Sequence, residues 1–245
     1  MNEEGHDRKY RQLVHGHLTP MRVTVQETDL GVYANNIEPA AVKEIVIEQR
    51  GLIEGYLHRH PGFGQSLAPL PEDPLAPPII QEMLAAGSAA KVGPMAAVAG
   101  AVAASVGKNL LTFTDEVIIE NGGDVFLSVH RDVTLGIYAG RSPLSLKVGI
   151  KLKSSIKPMA ACTSSGTVGH SLSYGRADAV CVLSASCALA DAAATAIGNC
   201  VKSPNDIEPA IQWGRSIPQV TGILAIMGDR MGMWGQIELT PLNSN

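Results

Sequence analysis

Between residues 116 and 151 the chain carries four short strand-like runs in close succession, 116–120, 124–130, 133–139 and 145–151. Two of their connections are Asn121-Gly122-Gly123 and Gly140-Arg141-Ser142-Pro143. Asn-Gly between such runs is a strong hairpin signal, and strands joined by tight turns pair antiparallel. A doubly wound parallel sheet needs helices alternating with strands and is therefore not favoured. The expectation is an α+β fold, with a mostly antiparallel sheet and helices packed on one side.

The remaining elements fit around that block. Alternation at Met21, Val23 and Val25 predicts a strand, Thr28-Asp29 a turn, and residues 30–34 a returning strand. Pro39 suits a first helical turn and opens a helix to about His60, where His58 and His60 favour the macrodipole. The proline-rich stretch 61–78 reads as an extended loop rather than a helix. Helices follow over 79–91 and 95–108, broken at Gly93-Pro94. After residue 170 come a strand over 177–183, a helix over 188–200, a further helical stretch over 204–213, and strands over 220–227 and 233–239. Leu30-Gly31-Val32-Tyr33-Ala34 is echoed by Leu135-Gly136-Ile137-Tyr138-Ala139, a modest hint of internal duplication.

Composition narrows the class. Aromatic residues are only 4% of the chain, so Ala, Val, Ile and Leu must fill the core and backbones must approach closely. The net charge of −4, without a basic run, disfavours a nucleic-acid partner. The apolar run 94–107 is shorter than the roughly 20 residues that a membrane span needs, so it reads as a buried helix and no membrane partner is expected. The four cysteines, Cys162, Cys181, Cys187 and Cys200, show no zinc spacing. With no secretory signal, they point to a reduced cytoplasmic protein. Cys181, Cys187 and Cys200 are expected buried, and Cys162, in a polar loop, is the one worth testing for reactivity. Residues 1–18 form a polar segment with His6, His15 and His17, expected mobile, ahead of a single domain over 19–245.

Three groups could carry chemistry. Gly122 and Gly123 let backbone approach a ligand, with Asn121 and Asp124 supplying an amide and a carboxylate; a plain hairpin tip accounts for the same residues. Thr163, Ser164, Ser165, Gly166 and Thr167 offer hydroxyls and unshielded amides suited to a phosphate, and His170 stands where a base would. A Ser/Thr-rich turn is the plainer reading. Asp191 and Thr195 lie four residues apart on one helical face and pair a carboxylate with a hydroxyl, as magnesium accepts. A helix cap would use the same aspartate.

In this order, an Ala/Gly-rich helix, Gly122-Gly123-Asp124, Thr163-Ser164-Ser165-Gly166, His170 and Asp191-Ala192-Ala193-Ala194-Thr195 resemble the ApbE superfamily of flavin transferases. The likeness covers roughly residues 80–240. The strings Val-Gly-Pro-Met-Ala-Ala-Val-Ala-Gly at 92–100, Glu-Asn-Gly-Gly-Asp at 120–124 and Cys-Thr-Ser-Ser-Gly-Thr-Val-Gly-His-Ser at 162–171 resemble a compact branch of it. The resemblance implies a T-fold-like architecture, duplicated in keeping with the pentapeptide echo. It implies an FAD or FMN pocket, Mg2+ at Asp191 and Thr195, His170 as the catalytic base, and transfer of FMN to a protein acceptor with AMP leaving. Asn121 to Asp124 and Thr163 to Thr167 would hold the nucleotide. Two departures stand out: only three residues separate Gly166 from His170, and the family's helix lysine has no counterpart near Ala97. A different enzyme on this scaffold, in sulfur amino-acid (homocysteine) assembly through Cys162, and a non-catalytic ligand-binding protein are the alternatives. A homodimer is compatible with all three.

Overall fold

The computed structural model describes residues 17–166 and 174–242, apart from the Ile156 side chain. The strands are β1 (Pro20–Val25), β2 (Thr28–Tyr33), β3 (Val117–Asn121), β4 (Asp124–Val129), β5 (Val133–Gly136), β6 (Val148–Leu152), β7 (Ser155–Ser164), β8 (Ala179–Ser184), β9 (Val220–Met227), β10 (Arg230–Gly235) and β11 (Leu239–Pro241). The helices are α1 (Pro39–Arg59), α2 (Pro61–Gln65), α3 (Pro78–Ala90), α4 (Val98–Leu110), α5 (Cys187–Cys200) and α6 (Ile207–Gly214). Eight strands form one sheet in the order β1-β2-β3-β4-β7-β8-β9-β10, and β11-β6-β5 form a second. Every described pairing is antiparallel. The expected class of helices packed on antiparallel sheet is the one observed.

Strand alternation divides the core into two layers, because successive side chains point to opposite faces. Val117, Ile119, Phe126, Ala160, Cys162, Val180, Val182, Ile223 and Ala225 face the helices. Ile118, Val125, Leu127, Ala161, Cys181, Leu183, Leu224 and Ile226 pack instead with Val133, Leu135, Ile150 and Leu152 of the smaller sheet. The large sheet is therefore buried on both faces, as the unbroken burial of β4 and β8 records. The paucity of aromatics is met by close approach. A Cβ on Gly107 of α4 would enter the ring of Phe126.

The sequence expectations hold for α1, α3, α4 and α5 to within a residue or three at each end. Several others are corrected. The 61–78 stretch begins with the short helix α2, seated by buried Phe63 against Tyr56 with ring centroids 5.1 Å apart. The strands expected over 133–139 and 145–151 are shorter, since residues 139–147 make turns bonded through Ser142 and Ser145. The strand expected over 233–239 divides into β10 and β11, which belong to different sheets. His17 is no part of a free tail: its Nε2 meets Glu116 Oε2 at 2.6 Å, and Leu18 beside it is buried. Residues 1–16, with His6 and His15, lie outside the described residues. Both copies of the pentapeptide contribute a strand, β2 to the large sheet and β5 to the small one.

Candidate functional site

The hairpin between β3 and β4 turns on Gly122 and Gly123, with φ of +69° and +108°. A side chain would strain either position, which is why the sequence places glycine twice. The turn sets Asp124 across from Asn121, and β7 sets Cys162 on the other side of Asp124. Asn121 Nδ2 donates to the Ala99 carbonyl at 3.0 Å, tying the tip to the start of α4. Gly123 N donates to Glu120 Oε1 at 2.9 Å, and Thr163 N donates to Gly123 O at 3.2 Å.

The start of α4 has no side-chain cap of its own at Ala97. Asp191 supplies one from α5, its Oδ2 accepting from Gly100 N at 2.9 Å. It is free to do so because α5 is capped by Ser186, whose Oγ accepts from Leu189 N at 3.3 Å. Asp191 thus sits in the second turn of α5 rather than at its start, which removes the idea that it caps its own helix. The crossing of α4 and α5 depends on Gly100, where a Cβ would strike the Cys187 carbonyl oxygen and come within 2.9 Å of Asp191 Cβ.

The electrostatics of this junction are unusual. Burial pushes the Asp124 carboxyl well above the ordinary carboxylate range, and the neighbouring Asp191 charge pushes it further. The Cys162 thiol and the Thr163 amide oppose that shift. Asp124 is 6% exposed, and its Oδ1 has no hydrogen-bond partner among the described residues. Burial raises Asp191 to about 7, against the pull of the Gly100 and Ala99 amides. Glu120 is buried close by and adds negative charge to Asp124. No lysine or arginine is among the groups that shift Asp124 or Asp191. A buried acceptor left unpaired costs roughly 1–3 kcal/mol. Among the described residues the junction is therefore short of positive charge, and a cation or a hydrogen-bond donor would relieve it.

The structure gathers Asn121, Gly122, Gly123, Asp124 and Asp191 at this junction. Thr163 and Ser164 prove to lie on a strand, not in a loop: β7 runs to Ser164 and sends them to opposite faces. Thr163 contributes its amide here, while its side chain turns toward Cys181. Ser164 Oγ lies 3.9 Å from where a Cβ on Gly198 of α5 would stand. Ser165 and Gly166 leave the strand, and Gly166 N donates to Ala177 O at 2.9 Å. Gly166, Gly175 and Gly198 stack backbone on backbone, with no space for a side chain at Gly166 or Gly175. Thr195 is half-buried one helical turn beyond Asp191. Thr167 and His170 lie outside the described residues. Gly100, whose closeness to α5 builds the junction, was not singled out as a site residue; its signals were its place in the Ala/Gly-rich helix and at the end of the 92–100 string.

The cysteines are also rearranged. Cys162 is fully buried on β7, its Sγ 3.4 Å from the Cys187 carbonyl oxygen and 3.5 Å from Cys187 Sγ. Burial, then Cys187, Asp124 and Asp191, push its thiol well up, so it is the opposite of an activated nucleophile. Cys200, expected inside, is the exposed one. A maleimide reagent at pH 7.5 should accordingly label one cysteine of the native chain, at Cys200, and reach Cys162, Cys181 and Cys187 only in denaturant. Mass spectrometry of the labelled peptides checks this.

The family model described as AbpE bacteria matches residues 11–217. The chain belongs to this family. Relatives include the UPF0280 protein of Methanocaldococcus jannaschii, 42% identical over 200 residues, covering 80% of this chain and 81% of that one. The UPF0280 protein of Methanococcus aeolicus is 36% identical over 222 residues, covering 88% and 90%. Among solved structures, the flavinyl transferase ApbE of Pseudomonas stutzeri aligns with a TM-score of 0.58 at 10% identity, covering 89% of this chain and 94% of that one. The flavin transferase ApbE of Vibrio cholerae aligns with a TM-score of 0.55 at 10% identity, covering 89% and 96%. At such identities the likeness establishes the ApbE fold. Among the described residues no single helix is long and apolar enough to cross a membrane, and α3 meets the helical segment Pro94–Leu110 at 107°.

Proposed function

We propose that this ApbE-family chain binds a flavin dinucleotide, FAD, together with Mg2+, and passes FMN to a hydroxyl of a protein acceptor with release of AMP. The observation that carries the reading is the buried carboxylate of Asp124, with one oxygen unpartnered, beside the perturbed Asp191 at the diglycine tip. Among the described residues no group of three or more His, Cys, Asp and Glu side chains could hold a metal alone. Magnesium takes few protein ligands and completes its shell with phosphate oxygens and water, so this reading asks only Asp191 and Thr195 of the protein.

In this reading Asp191 and Thr195 hold the metal from α5, and Asp124 adds negative charge behind it. Gly122, with open space where a Cβ would stand, lets backbone amides reach a phosphate. Asn121, anchored on Ala99, keeps the tip against α4. Ser164, Ser165, Gly166 and Thr167 follow toward the nucleotide, and His170 takes the proton of the acceptor hydroxyl. When bound, FAD supplies the phosphoanhydride that is cleaved, and Mg2+ offsets the charge that develops on it. A reducing compartment, the cytoplasm, accords with Cys162 and Cys187 standing 3.5 Å apart as free thiols. The burial of Cys162 removes the motive for a sulfur-transfer enzyme.

The test is incubation of the chain with FAD, Mg2+ and a threonine-bearing acceptor protein, followed by chromatography for AMP and mass spectrometry of the acceptor. AMP in step with an FMN-sized mass gain is expected. Melting curves with FAD, FMN, AMP and Mg2+ accompany it, since a ligand at 100 times its Kd adds about 2.7 kcal/mol. A shift with FAD and Mg2+ but no AMP would leave a binding protein. Flat curves with every ligand would end the flavin reading.

A further inference from the structure

We propose that β10, the free edge of the eight-stranded sheet, pairs antiparallel with β10 of a second copy of this chain, about a two-fold axis at Gly232. The two edges of that sheet differ in kind. β1 starts at Pro20 and carries exposed Arg22, bound to Asp29 at 2.9 Å. A proline and a charge are the usual means of keeping an edge single. β10, Arg-Met-Gly-Met-Trp-Gly, has no proline, its one charge, Arg230, stands at its first position, and Met231 and Met233 are 40% and 55% exposed.

The hydrogen-bond direction is fixed by the hairpin. Met227 and Arg230 close the two-residue turn at Gly228-Asp229, so Arg230, Gly232 and Trp234 turn their amides toward β9. The bond from Gln236 N to Thr221 O continues that alternation. Met231 and Met233 therefore present their N–H and C=O groups outward. No hydrogen bond from a described residue meets those groups.

The segment is self-complementary about Gly232. Met231 of one copy stands opposite Met233 of the other, and each such pair exchanges two backbone hydrogen bonds. The methionines share the face that carries Leu224 and Ile226, and pair there across the axis. On the other face Gly232 fits close under Ile207 and Ile211 of α6. That face sets Arg230 of one copy beside Trp234 of the other, at both ends of the pairing. Trp234 already receives Arg215, whose guanidinium carbon is 5.2 Å from the ring centroid. No two like charges stand directly opposite one another across the strands in this register, Arg215 and Arg230 both lying beside Trp234. An unrelated strand would lack that match, and this singles out a second copy as the occupant.

The experiment is sedimentation equilibrium and light scattering on the full chain at tens of micromolar, with circular dichroism to confirm folding of each variant. The expected mass is twice 25.7 kDa for the natural sequence. M231K/M233K places lysine opposite lysine and should give a 25.7 kDa species. M231K/M233E places the introduced lysine of one copy opposite the introduced glutamate of the other, and should recover the dimer. A monomeric natural chain, a dimeric M231K/M233K, or a charge-swapped variant no more dimeric than M231K/M233K would each overturn the pairing.

Discussion

Asp124→Asn is expected to make the ligand-free chain more stable at pH 8, by about 2 kcal/mol, because an unpaired buried charge costs several kcal/mol and an amide of the same shape carries none. The sign follows from proton linkage. In the unfolded chain both carboxyls titrate near the ordinary aspartate value of about 3.9, whereas burial raises Asp124 well above it and Asp191 to about 7. Over that window the folded chain holds protons that the unfolded chain has released, so stability is full below pH 4 and falls as pH rises toward 7 and beyond. Asp191 contributes to the fall in the same direction, over the window from about 4 to about 7. The variant should lose the Asp124 share of that slope. It should also gain less from FAD and Mg2+ than the natural chain does. Urea unfolding at pH 5, 6.5 and 8, with and without ligand, measures all three. A variant less stable at pH 8, with an unchanged pH slope, would show that Oδ1 of Asp124, and not only its other oxygen, has a donor in the folded chain.

Gly100→Ala is expected to be the most damaging single methyl group at this junction. Its Cβ would collide with the Cys187 backbone carbonyl oxygen and lie 2.9 Å from Asp191 Cβ, so α4 and α5 must separate. Backbone cannot swing aside as a side chain does, which puts the cost at about 3 kcal/mol, the upper part of the overpacking range. Separation also lengthens the bond from Gly100 N to Asp191 and uncaps α4. The control is Gly122→Ala. There φ is +69° with nothing within 4 Å, so only backbone strain of about 1 kcal/mol is incurred. The denaturation midpoint should fall about three times as far for Gly100→Ala, with an unchanged m value. Equal losses would mean that the helix crossing has slack.

Much of the fold is written in local pattern. Proline at Pro39 and Pro78 starts α1 and α3, and Gly122-Gly123 turns the β3–β4 hairpin, because these residues act through their own backbone. The family strings at 92–100, 120–124 and 162–171 named the superfamily for the same reason: each is a contiguous run. The site was only half legible. Asp124 and Asp191 were marked by composition and spacing, yet their perturbation was not, since it arises from residues far away in the chain. β7 was missed because its polar end, Thr163-Ser164, looks like a turn until neighbours on both sides claim its hydrogen bonds.

The sequence by itself determined the four main helices, most of the strands, that the sheet is antiparallel, and which family the chain joins, since periodicity, turn chemistry and contiguous motifs are properties of neighbours along the chain. Only the tertiary structure decided that Asp191 caps α4 across 91 positions, that Cys162 is buried with its thiol pushed up, that Cys200 is open to solvent, and that Asp124 has an oxygen unpartnered among the described residues. Burial and charge proximity depend on which surfaces meet, and no residue carries that information in its nearest neighbours.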